Sequence, residues 1–181
     1  MISFFWFLIV VVFSKTINKY SIRYVARMLC GCELWNNMSK SDLLKLEVSN
    51  RFAGKRIQGL CNTTRSEAVT GSIGLWTVEG YIDKAKLLFL FKLMKSSGTT
   101  VHKSLFTFRL FSYLNKLVSK PFGFIPDVFR ILEKYELQDY IDDYVTNGIL
   151  PSEHMWKATI TKRITLHQND MWLKGIWKSL N

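Results

Sequence analysis

From Ser41 to Leu180 the apolar residues recur every three or four positions, the spacing that gathers side chains on one face of an α-helix. Leu44, Val48 and Phe52 form the first such stripe, with Ser39 or Ser41 in front of it as the cap. Ile82, Ala85, Leu88, Phe89 and Leu93 give a broad apolar face to a helix running to about Lys95. Ser96-Ser97-Gly98 stops that helix, and Thr99 or Thr100 opens the next. The new helix carries Val101, Leu105, Phe108, Leu110 or Phe111, Leu114 and Leu117. Strict strand alternation is absent from this stretch, and no repeat of fixed period occurs. The pattern predicts an all-α fold, an irregular bundle of about six to eight helices. The hairpin Ile82–Leu117 is expected at its centre, since Leu88, Phe89, Leu105 and Phe108 supply the densest apolar surface.

Punctuation residues divide the remainder. Ser66-Glu67 opens a short helix that Gly71 and Gly74 weaken. Pro121-Phe122-Gly123-Phe124 reads as a turn, after which Pro126 suits a first helical position and Asp127 a first turn. Val128, Ile131, Leu132 and Tyr135 form the inner face there. Asn147-Gly148 ends the following helix, and Pro151-Ser152-Glu153 starts the last long one.

A length of 181 residues fits one domain, expected over residues 15–181 behind an apolar leader at 1–14. Ile2 to Phe13 is too short for a membrane-spanning helix, which needs about 20 residues. Its length suits the core of a signal peptide, but no Lys or Arg precedes it and Ser14-Lys15-Thr16 offers no small-x-small cleavage site. The leader therefore reads as a buried segment or a weak signal-like sequence. The sequons at Asn37 and Asn62 matter only for a secreted chain. Three cysteines are too few for a disulfide framework, which favours cytoplasm or nucleus over the secretory pathway.

The formal net charge is +11, and it is unevenly spread. Residues 1–120 hold 18 basic and 6 acidic side chains, residues 121–150 hold 2 and 6, and residues 151–181 hold 5 and 2. Such a balance suggests a polyanionic partner, here RNA or single-stranded DNA; membrane association follows only if the leader is functional. Lys55 and Arg56, ending the Ser41 helix, are candidate phosphate contacts. Lys157, Lys174 and Lys178 stand beside Trp156, Trp172 and Trp177, a pattern that can stack bases. Core tryptophans with lysine stems around them explain the same pattern, and Trp172 and Trp177 are too far apart to share one face of an isolated helix.

Catalytic signatures are harder to find. Tyr140-Ile141-Asp142-Asp143 matches the aspartate box of reverse transcriptases, where two carboxylates hold metal ions. That chemistry needs a β-hairpin and a distant third carboxylate, whereas Leu137, Tyr140, Ile141, Tyr144 and Val145 follow helix spacing. We read the box as a chance helical match. His102, His154 and His167 fit no metal spacing, and Cys30-Gly31-Cys32 is one residue short of Cys-x-x-Cys. Gly71-Ser72-Ile73-Gly74 lacks the basic centre of a KH clamp. The expectation is a non-enzyme without cofactor or metal.

Several separated blocks are similar to one family. Gly31-Cys32-Glu33-Leu34-Trp35, Leu46-Glu47 and Lys55-Arg56-Ile57-Gln58-Gly59-Leu60 resemble the region after the polymerase domain in the second open reading frame of LINE-type, non-LTR retrotransposons. Ile82-Asp83-Lys84, Gly123-Phe124-Ile125-Pro126-Asp127, Ile131-Leu132, Lys134-Tyr135 and Trp156-Lys157 look like the same region further on. The resemblance covers about residues 20–181, with Cys30 where an aromatic residue is usual. It implies a helical connector beyond the polymerase thumb, a region thought to help hold template RNA and target DNA. In that family the palm lies before this region and a zinc knuckle after it, so polymerase and endonuclease activities do not carry over. The alternative is a small secreted or membrane-tethered helical protein.

Overall fold

The structure, a computed structural model, describes residues 28–36, 38–117 and 122–180, without the side chains of 67, 68, 72, 73 and 178–180. The leader at 1–14 and the sequon residue Asn37 lie outside the described residues. The described residues hold seven α-helices and no strand: α1 (Lys40–Gln58), α2 (Ser66–Ile73), α3 (Val78–Lys95), α4 (Val101–Leu114), α5 (Phe124–Lys134), α6 (Gln138–Asn147) and α7 (Glu153–Leu180). They form two compact units. One comprises residues 40–79 and 168–180 with residues 28–30, the other residues 31–39 and 80–167.

In the first unit, α1 does not bury the stripe its spacing predicts. Leu44, Val48 and Phe52 are 58%, 57% and 48% exposed, while Glu47, Asn50 and Gly54 face inward. Specific bonds decide the outcome. Glu47 accepts from the Val78 N–H at 2.7 Å, placing a carboxylate on the first residue of α3, and also from Arg51 Nε at 3.3 Å. Asn50 Nδ2 donates to the Trp76 carbonyl at 3.2 Å. Gly54 lets α2 come close: a Cβ there would lie 3.0 Å from Val69 Cγ1. A helix can present only one face to these partners, so the bulky stripe turns outward.

Gly71 has a similar use. A Cβ on it would lie 2.2 Å from the Trp172 indole, so the glycine that weakens α2 is what admits this ring. Helix α1 ends at Gly59, in the left-handed region at φ +67°, where Leu60 N–H donates back to the Lys55 carbonyl at 2.9 Å.

The second unit is organised around Trp156 of α7, which is 1% exposed. Its Nε1–H donates to the Leu87 carbonyl at 3.1 Å, its ring stacks on Phe91 at 6.0 Å, and Tyr140 meets it edge-on at 5.3 Å. Leu87, Leu90, Leu132, Ile160 and Ile164 are buried with it. The α5 inner face is as its spacing predicts: Val128, Ile131, Leu132 and Tyr135 are all buried.

Helix α4 overturns an expectation. Leu105 and Phe108, expected at the centre, are 59% and 67% exposed, and Val101 and Phe111 share their fate. Phe106 and Leu110 are buried instead. The helix is apolar on both sides, and Lys103 breaks the tie. Its ammonium donates to the carbonyls of Leu93 (3.3 Å) and Met94 (2.5 Å), near the end of α3, and to the Tyr144 hydroxyl. Lys103, Phe106, Leu110 and Tyr113 follow each other at three and four, so anchoring Lys103 turns their face inward. The same offset appears on α3, where Leu87, Leu90, Phe91 and Met94 are buried and Leu88, Phe89 and Leu93 only half-buried.

Candidate nucleic-acid interface

The predicted phosphate contacts are mostly engaged within the protein. Lys55 Nζ donates to the Asn62 carbonyl at 2.5 Å, tying the last turn of α1 to the loop after it. Arg56 is exposed, with its guanidinium 5.2 Å from the Phe52 ring centroid. Both cations also offset the negative end of α1. Lys55 and Phe52 line a cavity of about 280 Å³ with Val48, Arg51, Asn62 and Ser66.

On α7, Lys157 pairs with Glu153 at 2.6 Å and Lys174 with Asp170 at 3.4 Å, each one turn away on its own helix. Lys178 falls in the last turn of α7, and its side chain is outside the described residues. Lys157 belongs to the second unit; Lys55, Arg56 and Lys174 belong to the first. Glu153 accepts from Lys95 as well, at 3.3 Å. Hydrogen bonds from Lys157 and then Lys95 hold its carboxyl below the usual glutamate range. The tryptophans divide as well: Trp156 is core, Trp172 lies against Gly71, and Trp177 is exposed.

Cations that the sequence reading did not single out are less encumbered. Lys40, Arg65, Lys92, Arg109, Lys116 and Lys162 make no ion pair with the described residues. Arg109 stands over a second cavity of about 280 Å³, lined also by Tyr113, Phe122, Gly123, Phe124, Ile125 and Pro126. Phe122 is 76% exposed at its mouth. Gly123 has φ +108° and ψ −161°, a conformation essentially reserved for glycine, which fixes the turn carrying Phe122 onto α5. One signal was available: Arg109 and Tyr113 are one helical turn apart. Reading Phe122-Gly123-Phe124 only as a turn hid the other wall.

Asp142 and Asp143 are exposed on α6, while Ile141 is buried, Tyr140 packs on Trp156 and Tyr144 meets Lys103. Among the described residues no three His, Cys, Asp or Glu side chains gather as metal ligands. Cys30, Cys32 and Cys61 are not in disulfides, and a hydrogen bond from Thr63 lowers the pKa of Cys61. No described helix is long and apolar enough to cross a membrane. No family model, curated protein or solved structure matches the chain.

Proposed function

We propose that this chain is a non-catalytic helical piece of a retrotransposon reverse-transcriptase polyprotein that binds RNA or single-stranded DNA with little sequence preference. The observation that carries the binding reading is its charge: a net +11, with Lys40, Arg65, Lys92, Arg109, Lys116 and Lys162 among the cations that make no ion pair with the described residues. Unpaired cations attract phosphates, and displacing condensed counterions drives association. The proposed contacts are to phosphates, which carry no sequence information, so selectivity among sequences is expected to be small. The polyprotein origin rests on the sequence blocks from Gly31 to Lys157.

Two experiments test the parts separately. Filter binding of random RNA and single-stranded DNA of equal length should give similar affinities that fall steeply with salt. Affinity for one sequence alone would contradict it. Genomic DNA immediately upstream should encode a reverse-transcriptase palm; unrelated coding sequence there would remove the proposed origin.

A further inference from the structure

We infer that the cavity between α4 and residues Phe122–Pro126 at the start of α5 takes one planar aromatic ring carrying an anionic group, an unpaired nucleobase with its phosphate. The inference rests on the nucleic-acid reading but names a site that charge alone does not. The cavity holds about 280 Å³, near the lower end of small-ligand pockets. Its walls are apolar: Tyr113, Phe124, Ile125 and Pro126, with Phe122 at the mouth. Among the described residues that line it, Arg109 is the one charged side chain and none is a carboxylate.

Three features favour a stacked base over an aliphatic occupant. Phe122 is 76% exposed beside the apolar lining of the cavity, so its ring face is open to a stacked base. Tyr113 is held in place by Phe129, with centroids 4.8 Å apart, and Phe124 by Phe89 at 5.4 Å, so the inner wall is fixed rather than adaptable. Arg109 makes no ion pair with the described residues, so its guanidinium is available to an anion at the rim or to the ring itself. Ring and anion together describe a nucleotide, either free or within a strand.

The test uses the full chain with two probes: a labelled oligothymidylate, and free 2-aminopurine riboside monophosphate read by its emission. Phe122→Ala should weaken oligothymidylate binding about fivefold or more, as loss of one stacking contact does. Arg109→Ala should weaken it too, and reduce the salt slope by about one. Phe108→Ala, which removes a ring 67% exposed on α4 and not among the cavity's described lining, should bind as the unsubstituted chain does. Circular dichroism of each variant should match that of the unsubstituted chain.

Salt-dependent oligothymidylate binding that is unchanged in Phe122→Ala and Arg109→Ala would overturn the pocket and leave the proposed function standing. Nucleotide binding lost in Phe122→Ala, with no oligothymidylate binding, would support the pocket as a free-nucleotide site and remove the nucleic-acid reading. Binding of neither probe would overturn both.

Discussion

Lys86 and Asp127 form a buried ion pair, with Nζ 2.8 Å from Oδ2 and the side chains only 5% and 10% exposed. The pair joins α3 to the first turn of α5, and Arg130 approaches the other Asp127 oxygen at 3.6 Å. Asp83 of α3 makes a parallel link, accepting from Lys134 at 2.9 Å and from the Tyr135 hydroxyl at 2.8 Å. Two polar ties therefore set the register of α5 against α3, and the apolar α5 face follows.

Breaking the Lys86 pair should be costly. Lys86→Met leaves Asp127 buried without its ammonium and should cost about 3–5 kcal/mol in urea unfolding. The double variant Lys86→Met/Asp127→Leu should be more stable than Lys86→Met alone, because it removes the buried carboxylate that has lost its ammonium. A cost under about 1 kcal/mol for the single variant would show that the pair is solvated.

Helix α4 supplies a sharper contrast. Leu105→Ala should change stability by no more than about 0.5 kcal/mol, as exposed positions do. Leu110→Ala, one turn and a residue further on and 5% exposed, should cost about 2–5 kcal/mol. Reversal of that order in thermal unfolding would restore the face that spacing alone predicts.

Glu153 gives a pH signature. Its folded-state pKa is lowered, so its stabilising contribution is present above the ordinary glutamate range and is lost as pH falls through the folded value. Glu153→Gln should therefore melt at a lower temperature than the unsubstituted chain at pH 7. By about pH 3, below the ordinary glutamate pKa, the gap should have narrowed. A gap of constant size would assign the loss to something other than the Lys157 and Lys95 contacts.

Some helix boundaries were legible in the sequence, at Ser96-Ser97-Gly98, Thr100 and Asn147-Gly148, whereas Gly74 was read as weakening α2 rather than ending it. Gly59, Gly74 and Gly148 sit in the left-handed region where their helices end, and Thr100 caps α4 by accepting from the Lys103 N–H. The choice of inward face was legible only where one side was apolar, as on α5. On α1 and α4 it was set by distant partners of Glu47, Asn50 and Lys103, which periodicity does not register. The cavity at Arg109 was missed for the same reason. Its walls come from two segments that spacing treats separately, and the Lys55 bond to the Asn62 carbonyl is visible only in three dimensions, whereas the carboxylates one turn from Lys157 and Lys174 were readable from spacing.

The most direct test of the central claim compares two single strands of identical bases, one with a phosphodiester backbone and one with an uncharged peptide backbone. The full chain should bind the phosphodiester strand with a log affinity that falls linearly as log salt rises, and should bind the uncharged strand far more weakly. Replacing Lys55 and Arg56 together by Ala should flatten that slope by about two units at most. Equal affinity for both backbones, or affinity independent of salt, would contradict the account.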